Sequence, residues 1–339
     1  MKIRLAGVLL ASVALFACGG DDGGNSGSSG GPVAGAPTPS PSPTPTPTVS
    51  YDPAFDVNQS AEYELIGALL TREMIEGMPS SLTVATQLFT PETPRIARYF
   101  AAERQVDVTI GTGGFHTFAA DDAREISAGR LSFAQFASES SRNFALFLIG
   151  GAAGAGSYSS SSTYSLGVNI HETNALYGDR RRWTTGYYVT GVRTVNGTVN
   201  TTGSTDYLSR PRVAIYENGE EYLYVHKTAD NDVDDSTYSL LRADWATGKI
   251  SGTLTLRDVN LNASGEFELE VTAELRGGTA TPKGPLISGS VRTNDGRTGQ
   301  LSGSLYGPRG REIGMAFVLE GNGSHGAGVI YARPNRSPP

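Results

Sequence analysis

Glu266-Phe267-Glu268-Leu269-Glu270-Val271-Thr272-Ala273-Glu274 places a polar side chain at every even position and an apolar one at every odd position. That period of two belongs to a β-strand with one face in a core and the other in water, apart from Thr272 and Ala273, which fit either side. The alternation recurs upstream at Val213/Ile215, Leu223/Val225 and Ile250/Leu254/Leu256. Downstream it returns at Ile287/Val291, Leu301/Leu305, Ile313/Met315/Phe317/Leu319 and Val329/Tyr331. Gly, Asn and Asp separate these segments, as hairpin turns require. Consecutive strands with no helix between them must hide their edges, and closing the sheet into a barrel does so. About eight strands leave an interior that side chains fill, or that holds one small ligand. The small residues Gly252, Gly289, Gly303, Gly314 and Gly326 suit the tight coiling of such a barrel. The expected fold class is mainly β, with an antiparallel barrel over residues 151–335.

Composition agrees. With 43 Gly, 15 Tyr and 12 Phe in 339 residues and 18% charged residues, the chain suits short strands joined by glycine turns better than a helical bundle. A formal net charge of −7 argues against a nucleic-acid partner, which needs a basic footprint. One cysteine, Cys18, allows neither an intramolecular disulfide nor a cysteine metal cage.

The position of that cysteine is informative. Lys2 and Arg4 precede an apolar run from Leu5 to Ala17 that is too short to span a bilayer, which reads as a signal peptide over residues 1–17. It ends Leu15-Phe16-Ala17-Cys18-Gly19, which resembles the lipobox of bacterial lipoproteins. The resemblance implies a thioether lipid on Cys18, cleavage before it and acylation of the new N-terminus, enough chains for stable anchoring. Gly20, following the pattern that permits sorting to the outer membrane, implies that destination. Residues 18–50, Gly/Ser-rich and then alternating Pro with Thr or Ser from Pro37 to Thr48, cannot bury a core and form a tether. Gly27-Ser28-Ser29-Gly30-Gly31 matches a nucleophile-elbow pattern in form only, since no strand precedes it.

Residues 51–150 read as a mixed α+β region. Leu65, Ile66, Leu69, Leu70 and Ile75 recur at helical spacing, and Thr90-Pro91-Glu92 followed by Ile96, Ala97, Tyr99, Phe100 and Ala101 would open a second helix. Val106, Val108 and Ile110 alternate and resume at Phe115 and Thr117 as a hairpin. The Gly/Ala/Ser-rich stretch 150–162 is the expected boundary to the barrel.

Four segments occur in a telling order. They are Ala243-Asp244-Trp245-Ala246-Thr247-Gly248-Lys249-Ile250-Ser251-Gly252-Thr253-Leu254, Ile287-Ser288-Gly289-Ser290, Leu305-Tyr306-Gly307-Pro308-Arg309-Gly310-Arg311-Glu312-Ile313-Gly314, and Gly326-Ala327-Gly328-Val329-Ile330-Tyr331-Ala332-Arg333. This succession resembles the barrel signature of the transferrin-binding protein B family, with Gly252, Gly289, Gly303, Gly307, Pro308, Glu312, Gly314, Gly326 and Gly328 as its marks. Met315-Ala316 and Val329-Ile330 depart from the family pattern but keep apolar character. The resemblance implies a small handle before the barrel and an outer-membrane lipoprotein that captures iron-carrying proteins, complement regulators or haem proteins. A shared fold does not transfer the ligand.

Chemistry is sparse. His116, His171, His226 and His325 include no close pair at metal-ligand spacing, and only His171, beside Glu172, and His226 merit testing as haem or metal ligands. The acidic run 230–235 lacks the glycine and bidentate glutamate of a calcium loop. Gly321-Asn322-Gly323-Ser324-His325-Gly326 leads into a strand where a dinucleotide site needs a helix, so it is a turn. Arg180-Arg181-Arg182-Trp183 joins residue types enriched at binding hot spots. It is either part of a partner surface or a solvated loop before a strand. No catalytic set and no cofactor motif is present, so the expectation is a monomeric, lipid-anchored, non-enzymatic binder of a protein or haem-type ligand. The alternative is a structural envelope lipoprotein with no dedicated ligand.

Overall fold

The computed structural model describes residues 60–109, 115–127, 130–135, 143–149, 165–177, 179–195, 197–199, 201–226, 239–258, 265–276 and 284–335. Cys18, the tether, the 150–162 stretch and the acidic run 230–235 lie outside them. Among the described residues there is no helix long and apolar enough to cross a membrane.

The first sheet comprises β1 (Ala61–Ile75), β2 (Met78–Phe89), β3 (Arg95–Phe100), β4 (Gln105–Thr109), β5 (Phe115–Phe118), β6 (Ala123–Ser127), β7 (Arg130–Gln135), β8 (Asn143–Ile149), β9 (Ser165–Tyr177) and β10 (Arg180–Gly191). Its order is β5-β4-β3-β1-β10-β9-β8-β7-β6, with β2 also on β1. The second sheet comprises β11 (Ser204–Glu217), β12 (Glu220–His226), β13 (Ser239–Asp244), β14 (Lys249–Asp258), β15 (Glu266–Arg276), β16 (Leu286–Thr293), β17 (Thr298–Tyr306), β18 (Glu312–Gly321) and β19 (Ser324–Pro334). It closes because β19 pairs along β11 from Tyr207↔Pro334 to Tyr216↔His325.

Both sheets begin on one plan. A long strand is followed by a hairpin partner that leaves the sheet part-way and then resumes along the same edge. β12 covers Arg212–Glu217 of β11 and β13 covers Ser204–Ser209, so the two act as one interrupted strand. The closed sheet is therefore an eight-strand barrel. In the first sheet β2 covers Gly67–Ile75 of β1 and β3 covers Ala61–Leu65. There the ring stays open, because β5 and β6 do not pair.

The barrel is the mainly-β fold expected. β15 alternates buried and exposed from Glu266 to Glu274, and its buried residues join Leu254, Ile287, Leu301, Ile313, Met315 and Phe317 inside. That interior is packed by side chains. Gly289 and Gly328 show why glycine recurs there: a Cβ would lie 2.2 Å from the Thr272 carbonyl oxygen in the first case and 2.5 Å from that of Arg212 in the second. Gly252 and Gly303 meet neighbouring backbone in the same way, whereas a Cβ on Gly326 would be tight without a backbone clash, 3.2 Å from Ile215 Cγ1. The Asn322-Gly323 pair, with φ of 55° and 72°, turns β18 into β19 as read from the sequence.

Three expectations are corrected. The segment at 65–75 is the strand β1, and 95–100 is the strand β3. The physical reason is burial on both faces. Leu65 and Leu69 enter the core inside the first sheet while Ile66, Ala68 and Leu70 face the barrel, so period-two alternation vanishes and the apolar residues fall by chance at helical spacing. Third, β9 and β10 belong to the first sheet, so the change of sheet falls between Gly191 and Ser204 instead of at 150.

Candidate functional site

The outer face of β18 and β19 packs on β1 and β10. Ile66, Ala68, Leu70, Tyr187 and Val189 meet Ala316, Ala327 and Val329 in one buried cluster. Gly307, Pro308, Glu312 and Gly314 lie along this seam. A Cβ on Gly314 would come within 2.5 Å of Val189 Cγ2. Buried Glu312 accepts a hydrogen bond from Ser165 Oγ at 2.7 Å, tying β9 to β18. Gly307 and Pro308 form a turn stapled to the chain leaving β10: Gly307 N donates to Val192 O at 2.9 Å, and Thr194 Oγ1 donates to Gly307 O at 2.6 Å.

At one end of the seam a charged cluster faces the barrel. Arg72 donates to Glu221 Oε2 at 2.6 Å and lies over the rings of Tyr216 and Trp183, at 5.1 and 5.7 Å. Thr185 Oγ1 donates to the other oxygen of Glu221 at 2.7 Å. Nearby, Arg212 sits 5.4 Å over Tyr187, whose other neighbour is the edge of His171. Burial, and then the Arg212 charge, push the His171 pKa down to about 4, so the ring stays neutral at ordinary pH. Burial raises the Tyr187 phenol to about 12.

The Arg180–Trp183 run is on a strand, not a loop. Arg180 and Arg182 each approach Glu73 at 3.8 Å, and Arg181 Nε donates to Glu76 at 3.2 Å. These pairs hold the β9–β10 hairpin beside the β1–β2 hairpin and form one tip, where Arg180 is the most exposed cation at 62%. Trp183 serves the seam through Arg72. Neither His171 nor His226 joins a group that could hold a metal among the described residues.

The sequence reading missed β2. In the barrel, β14 reaches past β13 to cover the outer edge of β12, from Tyr224↔Asp258 to His226↔Leu256. In the first sheet β4 pairs with β3 alone on that side, and β2 has β1 as its one partner among the described residues. Among the described residues no strand pairs with the outward N–H and C=O groups of β2. Met78-Pro79-Ser80-Ser81-Leu82-Thr83-Val84-Ala85-Thr86-Gln87-Leu88-Phe89 carries no charge, and Met78 and Leu82 are exposed apolar side chains on it. Natural sheets blunt such edges with charge, proline or cover, and β2 carries only Pro79 near its start, leaving Leu82–Phe89 without such a device among the described residues. The signal available was a long uncharged run of β-formers, Leu82 to Phe89.

A cleft of about 310 Å³ opens beside Glu64, Thr190, Arg193 and Thr194. Arg193 lies 2.9 Å from Glu64 as an ion pair, although neither of its terminal nitrogens makes a well-aligned hydrogen bond.

No family model and no curated protein matches the chain. Solved structures similar to it include HpuA of Kingella denitrificans in complex with human haemoglobin, at 13% identity and a TM-score of 0.41 over 85% of this chain and 90% of that one. A transferrin-binding protein B of Haemophilus parasuis follows at 10% identity and a TM-score of 0.40, over 84% and 78% of the two chains. The N-lobe of lactoferrin-binding protein B of Moraxella bovis shares 12% identity with a TM-score of 0.32, over 56% and 79%. The second of these bears the name of the family whose barrel signature the sequence resembles.

Proposed function

We propose that the chain is an outer-membrane lipoprotein, anchored through Cys18, that captures a protein partner by strand addition along β2 and the adjoining hairpin tip. The open, uncharged β2 edge carries the reading. Strand addition supplies main-chain hydrogen bonds, while Met78, Leu82 and Arg180 offer apolar and cationic contacts for specificity. A barrel interior filled with side chains leaves the outside as the place for a partner.

The test offers immobilised protein to haemoglobin, transferrin and lactoferrin, the proteins that the similar structures are named for, and to the medium of the native environment. A double variant, Met78→Lys with Leu82→Lys, serves as the matched bait, its fold checked by circular dichroism. A partner held by the parent and released by the variant supports the reading; equal retention by both refutes it. Protease shaving of intact cells, with a periplasmic control, tests display at the surface.

A further inference from the structure

Arg95 begins β3 on the parity that faces inward, with Ala97 and Tyr99, and is 4% exposed. Its guanidinium lies 4.2 Å over the Phe89 ring and 5.9 Å over that of Tyr188. Nη1 donates to Thr109 O at 2.6 Å, but Nε has no acceptor, and among the described residues no carboxylate pairs with the group. Burial lowers the Arg95 pKa; the Tyr188 phenol acts against that shift, and Arg182, another cation, adds to it. A buried charge without a counter-ion is costly to keep.

Tyr188 has the matching deficit. Its ring is fully buried and its hydroxyl has no hydrogen-bond partner. The ring lies on bare backbone, since a Cβ on Gly67 would stand 1.9 Å from its Cδ1 and one on Gly186 would stand 2.7 Å from its Cε2. Two strand glycines thus seat this phenol against the sheet, under Phe89 at a ring distance of 6.0 Å. The surroundings are Leu65, Leu69, Val106, Val108 and Phe118, all apolar. The first sheet is also the one whose ring stays open, between β5 and β6.

We propose that the interior of the first sheet takes the carboxylate of an apolar molecule, with Arg95 Nε and Tyr188 Oη as its hydrogen-bond donors. A carboxylate supplies both the missing counter-charge and acceptors for two orphaned donors, and an apolar body suits the walls. Guanidinium holds a carboxylate more tightly than it holds a neutral hydroxyl of the same chain length.

The experiment uses the full-length chain carrying Cys18→Ser, so that no attached lipid competes. Laurate, dodecanol and protoporphyrin IX are titrated by calorimetry, the first and third distinguishing a flexible chain from a flat ring system as the apolar body. The expected result is one site per chain for laurate or the porphyrin, with dodecanol at least tenfold weaker than laurate if the chain is preferred. Tyr188→Phe weakens binding several-fold and keeps the ring. Arg95→Met removes the preference for the acid over the alcohol, while the melting temperature of the unliganded protein holds or rises, because an uncompensated charge has gone. Arg95→Lys retains part of the preference. The proposal is overturned if neither acid binds, if laurate binds no more tightly than dodecanol where it does bind, or if Arg95→Met leaves binding of the acid that binds unchanged. Met78→Lys with Leu82→Lys leaves these titrations unchanged, which separates this site from capture along β2.

Discussion

Gly67→Ala tests how the first sheet seats its central aromatic. The new Cβ would lie 1.9 Å from Tyr188 Cδ1 and 2.6 Å from Cγ and Cε1, well inside contact distance. The ring cannot slide along β10, because it already rests on Gly186, and Phe89 lies across it. Overpacking of this kind costs about 2 kcal/mol, reduced by some tenths through the stiffer unfolded chain. With a urea m-value on the order of 3 kcal/mol/M, the midpoint falls by roughly 0.6 M. Tyr188→Ala alone costs about 4 kcal/mol as a buried aromatic truncation. In that background Gly67→Ala has room and costs less than about 0.5 kcal/mol, giving a coupling of about 1.5 kcal/mol between the two positions. Urea unfolding followed by far-ultraviolet circular dichroism measures all four corners of the cycle. A Gly67→Ala protein that unfolds at the parental midpoint, or costs that simply add, refutes the packing.

Two further outcomes follow from single contacts. His171 titrates near its ordinary 6.5 when unfolded and at about 4 when folded, so between those values the unfolded state binds the extra proton. Its contribution is intact above pH 6.5 and is lost as pH falls toward 4, a loss of up to about 3 kcal/mol that His171→Leu removes from the pH profile of the urea midpoint. Equal pH slopes for parent and variant would contradict this. Ser165→Ala deprives buried Glu312 of its 2.7 Å donor and lowers stability by about 2 kcal/mol. An unchanged midpoint would show that β9 and β18 are not joined there.

What was legible in the sequence follows from which strands have a wet face. β15 alternates buried and exposed residues, and its period of two is plain. β1 is buried on both sides from Leu65 to Leu70, so the pattern that identifies a strand was erased where the strand matters most. That error hid Arg95 as well. Had 95–100 been read as a strand, Arg95 would have stood out as a charge on the same parity as Ala97 and Tyr99. Among the glycines, sequence could not tell Gly289, which admits a neighbouring strand, from Gly314, which admits the other sheet. The Arg180–Trp183 cluster was visible, yet its acidic partners Glu73 and Glu76 lie about a hundred residues away in the chain.

The open edge of β2 can be tested directly by amide hydrogen exchange on the purified protein, resolved strand by strand. A strand bonded on one side protects alternate amides and leaves the others to water. The expected pattern is therefore alternate fast and slow exchange along Leu82–Phe89, with uniform protection in β1 from Gly67 to Arg72, which has partners on both sides. Uniform slow exchange along β2 would mean that its outer edge is already covered, and strand addition there would be excluded.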